Sequence, residues 1–287
     1  MSLKKILPFT LIILCLFAFK GDKKAYQIFN QQGKKASYSK ILKEIEFADI
    51  ILFGELHNNP ISHWLQLELT SDIFYTINEN LVLGAEMFEA DDQITINEYL
   101  DGHHSYNTFK KEVKVWPNNK TDYQPLMDFS LSNQLPFIAT NIPRRYANIV
   151  YKKGFKGLDI VHKDALKWIV PLPIKYNKEL PGYKKIIEMA GGHGGDNLPK
   201  AQAIKDATMA HFILKNHREG STFIHYNGTY HSDNFEGIAW YLKQANPNLN
   251  IITIATLEQE EIDTLNKENL GIASFVVCTP ESMTKTH

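Results

Sequence analysis

Short apolar runs recur along the chain, separated by longer segments whose apolar positions return every three to four residues. The runs at 50–53, 81–86, 136–140, 222–225, 251–254 and 273–277 have the length and composition of buried strands. The segments at 39–47, 60–77, 91–100, 123–132, 143–151, 199–215 and 235–244 have helical period. The second of these opens on Pro60, suited to a first turn, and carries Leu65, Leu69, Ile73 and Ile77 at spacing four. Strand and helix in alternation predict an α/β fold with a mostly parallel β-sheet flanked by helices. Two stretches break the rhythm. Residues 101–120 hold His103, His104, Trp116 and Pro117, and residues 155–198 hold Pro171, Pro173, Pro181 and a "GGHGG" run around His193. Irregular stretches of this length inside an α/β chain predict insertions, here a helical and loop cap over the strand ends.

The first residues follow another pattern. Lys4 and Lys5 precede an apolar run to Phe19, and Lys20 to Asp22 restore polarity. That layout predicts a signal peptide or N-terminal anchor over residues 1–21, hence export to the periplasm or an outer-membrane-associated cell envelope. Cys15 lies in the run behind Leu14, where a lipidated cysteine needs a small residue, so lipid attachment, plain cleavage and an uncleaved anchor stay open. Residues 22–287 contain no low-complexity linker and predict a single domain. The 287 residues carry a formal charge of −1 and are 44% hydrophobic. This balance supplies a large core and lacks the basic stripe of a nucleic-acid binder. Cys278, the other cysteine, follows a strand-like run and reads as a small buried hydrophobe.

Chemistry gathers at the predicted strand ends. Glu55 and His57 follow the first strand, Glu86 ends the second, and Gly228 and His231 follow the fourth. In a parallel sheet all carboxyl ends share one edge, where ligands bind. Gly54 and His57, like Gly228 and His231, form a Gly-x-x-His spacing, with glycine expected to permit a sharp exit from the strand. Two imidazoles and two carboxylates suit a divalent metal, or a base with its orienting acid. Local roles are the rival: Glu55 and His57 as turn caps, and Glu86 as an ion-pair partner of Arg144. Arg144 and Arg145 follow the third strand and face the same edge, to meet a carboxylate or to pair with Glu86 or Glu89. On the 199–215 helix, Gln202, Asp206 and Met209 share a stripe, and Gln202 and Asp206 read as groups that orient the histidines.

The segments "LFGELHNNPISHWLQLEL", "LGAEMFEADDQ", "IATNIPRR", "AQAIKDATMA" and "HYNGTYH" resemble, in order, the signatures of the ChaN-like proteins. These are haem-binding, iron-regulated lipoproteins grouped with the Tiki, TraB and erythromycin-esterase proteins, and the resemblance covers roughly residues 37–242. It implies an α/β core with a helical addition, a cell-envelope location and haem binding, including between two subunits of a homodimer, with an outer-membrane haem receptor as a further partner. Gly54, Glu55 and His57 match the first signature and His63 a following histidine. Glu86 matches the acid of the second strand, and Asn141, Pro143 and Arg144 an Asn-x-Pro-Arg turn. Gln202, Asp206 and Met209 match the helix signature, and Gly228 and His231 the last one. The chain departs from the family's pattern at Asn58-Asn59, where an Asp is common, and at Trp64, where a second His is usual.

Haem requires an apolar slot, an axial ligand and cations for its propionates. Tyr226, Tyr230 and His193 are candidate axial ligands, and His63 and Arg144 further candidate haem contacts, with the alternatives that the tyrosines pack and that His193 is solvated. The Tiki branch implies a rival function: metal-dependent hydrolysis, with Mn or Co held by His57, His231, Glu55 and Glu86. A haem-binding protein of iron uptake is the leading expectation, with the hydrolase and a decayed exported scaffold as alternatives.

Overall fold

The apolar runs form strands and the periodic segments form helices in the computed structural model, which describes residues 23–191 and 195–287. The expected signal segment, Cys15 and His193 lie outside the described residues. In chain order the strands are β1 (Gln27–Asn30), β2 (Lys35–Ala36), β3 (Ile50–Glu55), β4 (Leu81–Glu89), β5 (Phe137–Asn141), β6 (Thr222–Gly228), β7 (Ile251–Gln259) and β8 (Phe275–Pro280). The helices are α1 (Tyr38–Ile45), α2 (Pro60–Thr76), α3 (Gln93–Leu100), α4 (Tyr106–Glu112), α5 (Asn119–Asp122), α6 (Gln124–Asn133), α7 (Arg144–Lys153), α8 (Pro181–Met189), α9 (Asn197–Asn216) and α10 (Gly237–Ala245).

The strands join in one sheet of order β2-β1-β8-β7-β3-β6-β4-β5. From β8 to β5 every pairing is parallel, while β1 runs antiparallel to β8 and β2 antiparallel to β1. Every residue of β3 is buried, as both faces of a helix-covered parallel sheet require. Ile51 and Phe53 face one core with Leu65, Leu69 and Ile73 of α2, and Ile50 and Leu52 face the other with Ala207, Ala210 and Ile213 of α9. From β3 the chain steps through α2 to β4, and from β6 through α10 to β7 on the opposite side of β3. The crevice at this reversal is where open α/β sheets take ligands.

The β1–β2 hairpin had no counterpart in the periodicity, and the strands extend past their expected carboxyl ends. Glu55, Glu89 and Gly228 therefore lie inside strands, not beyond them. The 101–120 stretch contains α4 and the start of α5, and the 155–198 stretch contains two 3-10 turns and α8. α8 packs on α9, and Trp116 of the first insertion stands edge-on to His57 with centroids 4.8 Å apart.

Candidate functional site

Glu55 ends β3 opposite Gly228 in register, with its carboxylate sealed from water. It accepts hydrogen bonds from Tyr123 Oη at 2.7 Å, Gln66 Nε2 at 2.6 Å and His57 Nδ1 at 2.8 Å. His63 Nδ1 lies 3.4 Å from the same group, and His63 Nε2 lies 3.3 Å from Asp122. Asn118 completes the support, donating to the His57 carbonyl at 2.9 Å. This network fixes the His57 ring by its Nδ1 and leaves Nε2 on the open side, with 37% of the side chain exposed. Burial opposes the charged imidazole, but the hydrogen bond to Glu55 and the charges of Glu86 and Glu55 outweigh it and raise the His57 pKa.

His231, the second imidazole, is enclosed. Its Nδ1 meets Asp206 Oδ1 at 2.5 Å and its Nε2 meets Glu86 Oε1 at 3.0 Å. The amide of Gly228 donates to Glu86 Oε2 at 2.7 Å, Tyr183 Oη donates to Asp206 Oδ2 at 3.1 Å, and the Gln202 amide stands 2.9 Å from His231 Nδ1. Burial disfavours charge on His231, yet Glu86 and Asp206 overcome it and push its pKa up to about 10. Burial likewise works against charge on Glu86, but the His231 cation, with His57 and the Gly228 amide, holds Glu86 well below the usual carboxylate range. Both imidazole nitrogens point at carboxylates, which favours the charged form of His231.

The two glycines answer to space, not to backbone conformation. Gly228 has φ −58°, open to any residue, and Gly54 is not among the glycines of positive φ. A Cβ on Gly228 would stand 2.8 Å from His57 Nε2, and one on Gly54 would stand 2.9 Å from the Thr229 backbone. The shared spacing therefore lets two strand ends and an imidazole stack closely.

A cleft of about 380 Å³ opens above these groups. His57, Gln202 and His231 contribute polar lining, and Ile186, Met189, Ala190 and Leu198 contribute apolar lining. Tyr230 stands at its mouth, 49% exposed, with Lys185 Nζ 5.8 Å from the ring centroid. A neighbouring compartment of about 410 Å³ includes Glu86, Glu89, Asn141 and Arg144, and Leu198 borders both.

Glu55, His57, Glu86, His231, Gln202 and Asp206 thus converge. Asn141 bonds the Glu86 carbonyl at 3.0 Å and holds β4 to β5 beside them. Four expectations need correction. Tyr226 is fully buried, its hydroxyl 2.5 Å from Thr70 Oγ1, because its strand parity aims it at α2; burial also pushes its phenol pKa up. His63 is enclosed beneath the site and supports it without reaching the cleft. The ion pair expected of Arg144 is made by its neighbour: Arg145 binds Asp91 at 2.6 Å and lies over the Tyr146 and Trp168 rings. Nor do the four strand-end groups form a metal shell. Among the described residues no group of three or more His, Cys, Asp or Glu is arranged to hold a metal ion. Sequence reasoning missed Tyr123, Gln66, Asp122 and Tyr183: Gln66 lies within the first quoted signature without a role assigned to it, and the other three come from helices or the turn between α5 and α6 with no motif around them.

Comparison with known proteins accords with this geometry. The family model described as haem-binding uptake, Tiki superfamily, ChaN, matches residues 41–242, well over half of the chain. The chain belongs to this ChaN family. Its fold is shared with Campylobacter jejuni ChaN, whose structure is described as showing cofacial heme binding. The TM-score is 0.66 and the identity 18%, with 89% of this chain and 97% of that one covered. A Bacillus cereus protein of known structure aligns with TM-score 0.51 and 12% identity over 89% of this chain and 95% of that one. In sequence, the chain is 28% identical over 133 residues to the chloroplast protein RETICULATA-RELATED 5 of Arabidopsis thaliana. That match takes in 44% of this chain and 18% of the plant protein, so the chain spans less than a fifth of that relative.

Proposed function

We propose that this ChaN-family chain binds haem in the cleft above His57 and His231 and serves haem or iron acquisition in the cell envelope. One observation carries the reading: a half-exposed tyrosine and an imidazole with its Nε2 unpartnered among the described residues line the same apolar-walled cleft. Haem fits that donor set. Tyr230 offers a phenol oxygen at the mouth, and phenolate is an established axial ligand. Ile186, Met189, Ala190 and Leu198 supply the walls. His57, steadied by Glu55, faces the same space as a hydrogen-bonding group or second ligand. His231, held between two carboxylates, fixes the charge beneath.

The rest of the reading concerns place and assembly. The basic and apolar run before residue 22 supports export, with anchoring through that run or through lipid on Cys15. Tyr230 and Met189 are exposed at the mouth, where a second copy or an outer-membrane receptor would meet a bound haem. Cofacial haem, as described for the Campylobacter jejuni relative, is the arrangement such a mouth permits. Adding hemin to the purified protein should produce a saturable, shifted Soret band, and protein drawn from its own envelope should carry iron. A Soret spectrum identical to free hemin at every ratio would refute the reading.

A second reading rests on the Glu55–His57 pair. An imidazole anchored at Nδ1 with Nε2 open to a cleft has the form of a general base. Hydrolysis of an activated ester that disappears in His57→Ala, with folding intact, would favour an enzyme.

A further inference from the structure

The compartment beyond Leu198 has a charge pattern that the iron-ligand region does not explain. Lys114 from the first insertion, Arg144 at the start of α7 and Lys205 of α9 all line it. None of the three is in an ion pair among the described residues, whereas the adjacent Arg145 is tied to Asp91. Two carboxylates, Glu86 and Glu89, share the space. Glu86 takes the Gly228 amide and shares His231 with Asp206, so it and Glu89 both count against the three cations. The compartment therefore keeps a surplus of about one positive charge. α7 adds to it, since no side chain caps its N-terminus and the helix begins at this wall.

The walls between the cations are apolar, including Leu198, which also borders the Tyr230 cleft. A ligand spanning both spaces would meet an aromatic and aliphatic slot at one end and unpaired cations at the other. Its matching form is a flat apolar body bearing two carboxylates at one edge. We propose that Lys114, Arg144 and Lys205 form the carboxylate subsite of the cleft and take the two propionates of the haem. The inference rests on the haem reading and adds orientation to it: propionates toward α7, iron toward Tyr230. Arg144 is suited to a fork-shaped contact, and the two lysines to point-charge contacts.

The test compares hemin with hemin dimethyl ester, delivered in the same detergent and read by the Soret change on the full chain. The ester keeps the iron and the ring but has lost both negative charges. Wild-type protein should bind the ester about tenfold more weakly, the scale of a few partly exposed ion pairs. Arg144→Gln/Lys205→Gln should bring hemin down to the level of the ester, with an unchanged Soret position and melting temperature. Equal binding of acid and ester by the wild type overturns the subsite while leaving haem binding in place. So does a double variant that keeps its full preference for the acid. Failure of both porphyrins to give a saturable change overturns the subsite and the haem reading together.

Discussion

The two Gly-x-x-His units leave the same sheet edge with the same spacing, yet their imidazoles serve different ends. His57 is tethered at one nitrogen by Glu55 and presents the other to the cleft, with over a third of the side chain exposed. His231 is enclosed between Glu86 and Asp206, with a carboxylate at each nitrogen. The difference lies in what the neighbouring elements supply. α9 brings Asp206 against the second histidine and α8 brings Tyr183 behind it, whereas the first histidine meets the edge of Trp116 and the backbone of Gly228. A repeated motif thus places two rings alike, and surrounding carboxylates leave one accessible and enclose the other.

The largest expected contrast is in stability. His231→Ala should cost about 3–5 kcal/mol, because it strands the buried carboxylates of Glu86 and Asp206. His57→Ala should cost about 1 kcal/mol, the loss of one hydrogen bond at a partly exposed ring. Chemical denaturation of both variants measures the difference, and equal losses would erase the distinction. Gly228→Ala comes next, at about 1–3 kcal/mol, since the added methyl would press on the His57 ring 2.8 Å away. If the ring swings aside instead, ligand binding should fall with little change in melting.

A further contrast is in pH dependence. His231 has its pKa raised from 6.5 to about 10, so its stabilising contribution is complete below pH 6.5 and is lost as pH rises through about 10. Glu86 has its pKa lowered from 4.5, so its contribution is complete above pH 4.5 and is lost as pH falls toward the depressed value. Melting temperature should therefore decline from pH 6.5 to 10. His231→Gln should flatten that alkaline decline, and His57→Gln should retain most of it.

How much of this was legible before the fold follows the same division. The six parallel strands were legible as apolar runs, and the parallel topology alone brings Glu55, Glu86 and His231 to one edge. The direction of Tyr226 was not, because a strand buried on both faces has no alternation to reveal which way a residue points. Nor was the support around Glu55: Tyr123 sits in the turn between α5 and α6 and Gln66 on α2, where a polar residue has no distinctive spacing, and only packing aims them at the carboxylate. The β1–β2 hairpin was too short to show a period.

The central claim, that the cleft takes haem through the exposed phenol at its mouth, is tested most directly by hemin titration of the folded chain beside its Tyr230→Phe variant. A saturable Soret shift in the parent, weakened at least about tenfold and moved in wavelength when the phenol oxygen is removed, is the predicted result. Superimposable titrations of parent and variant would contradict it.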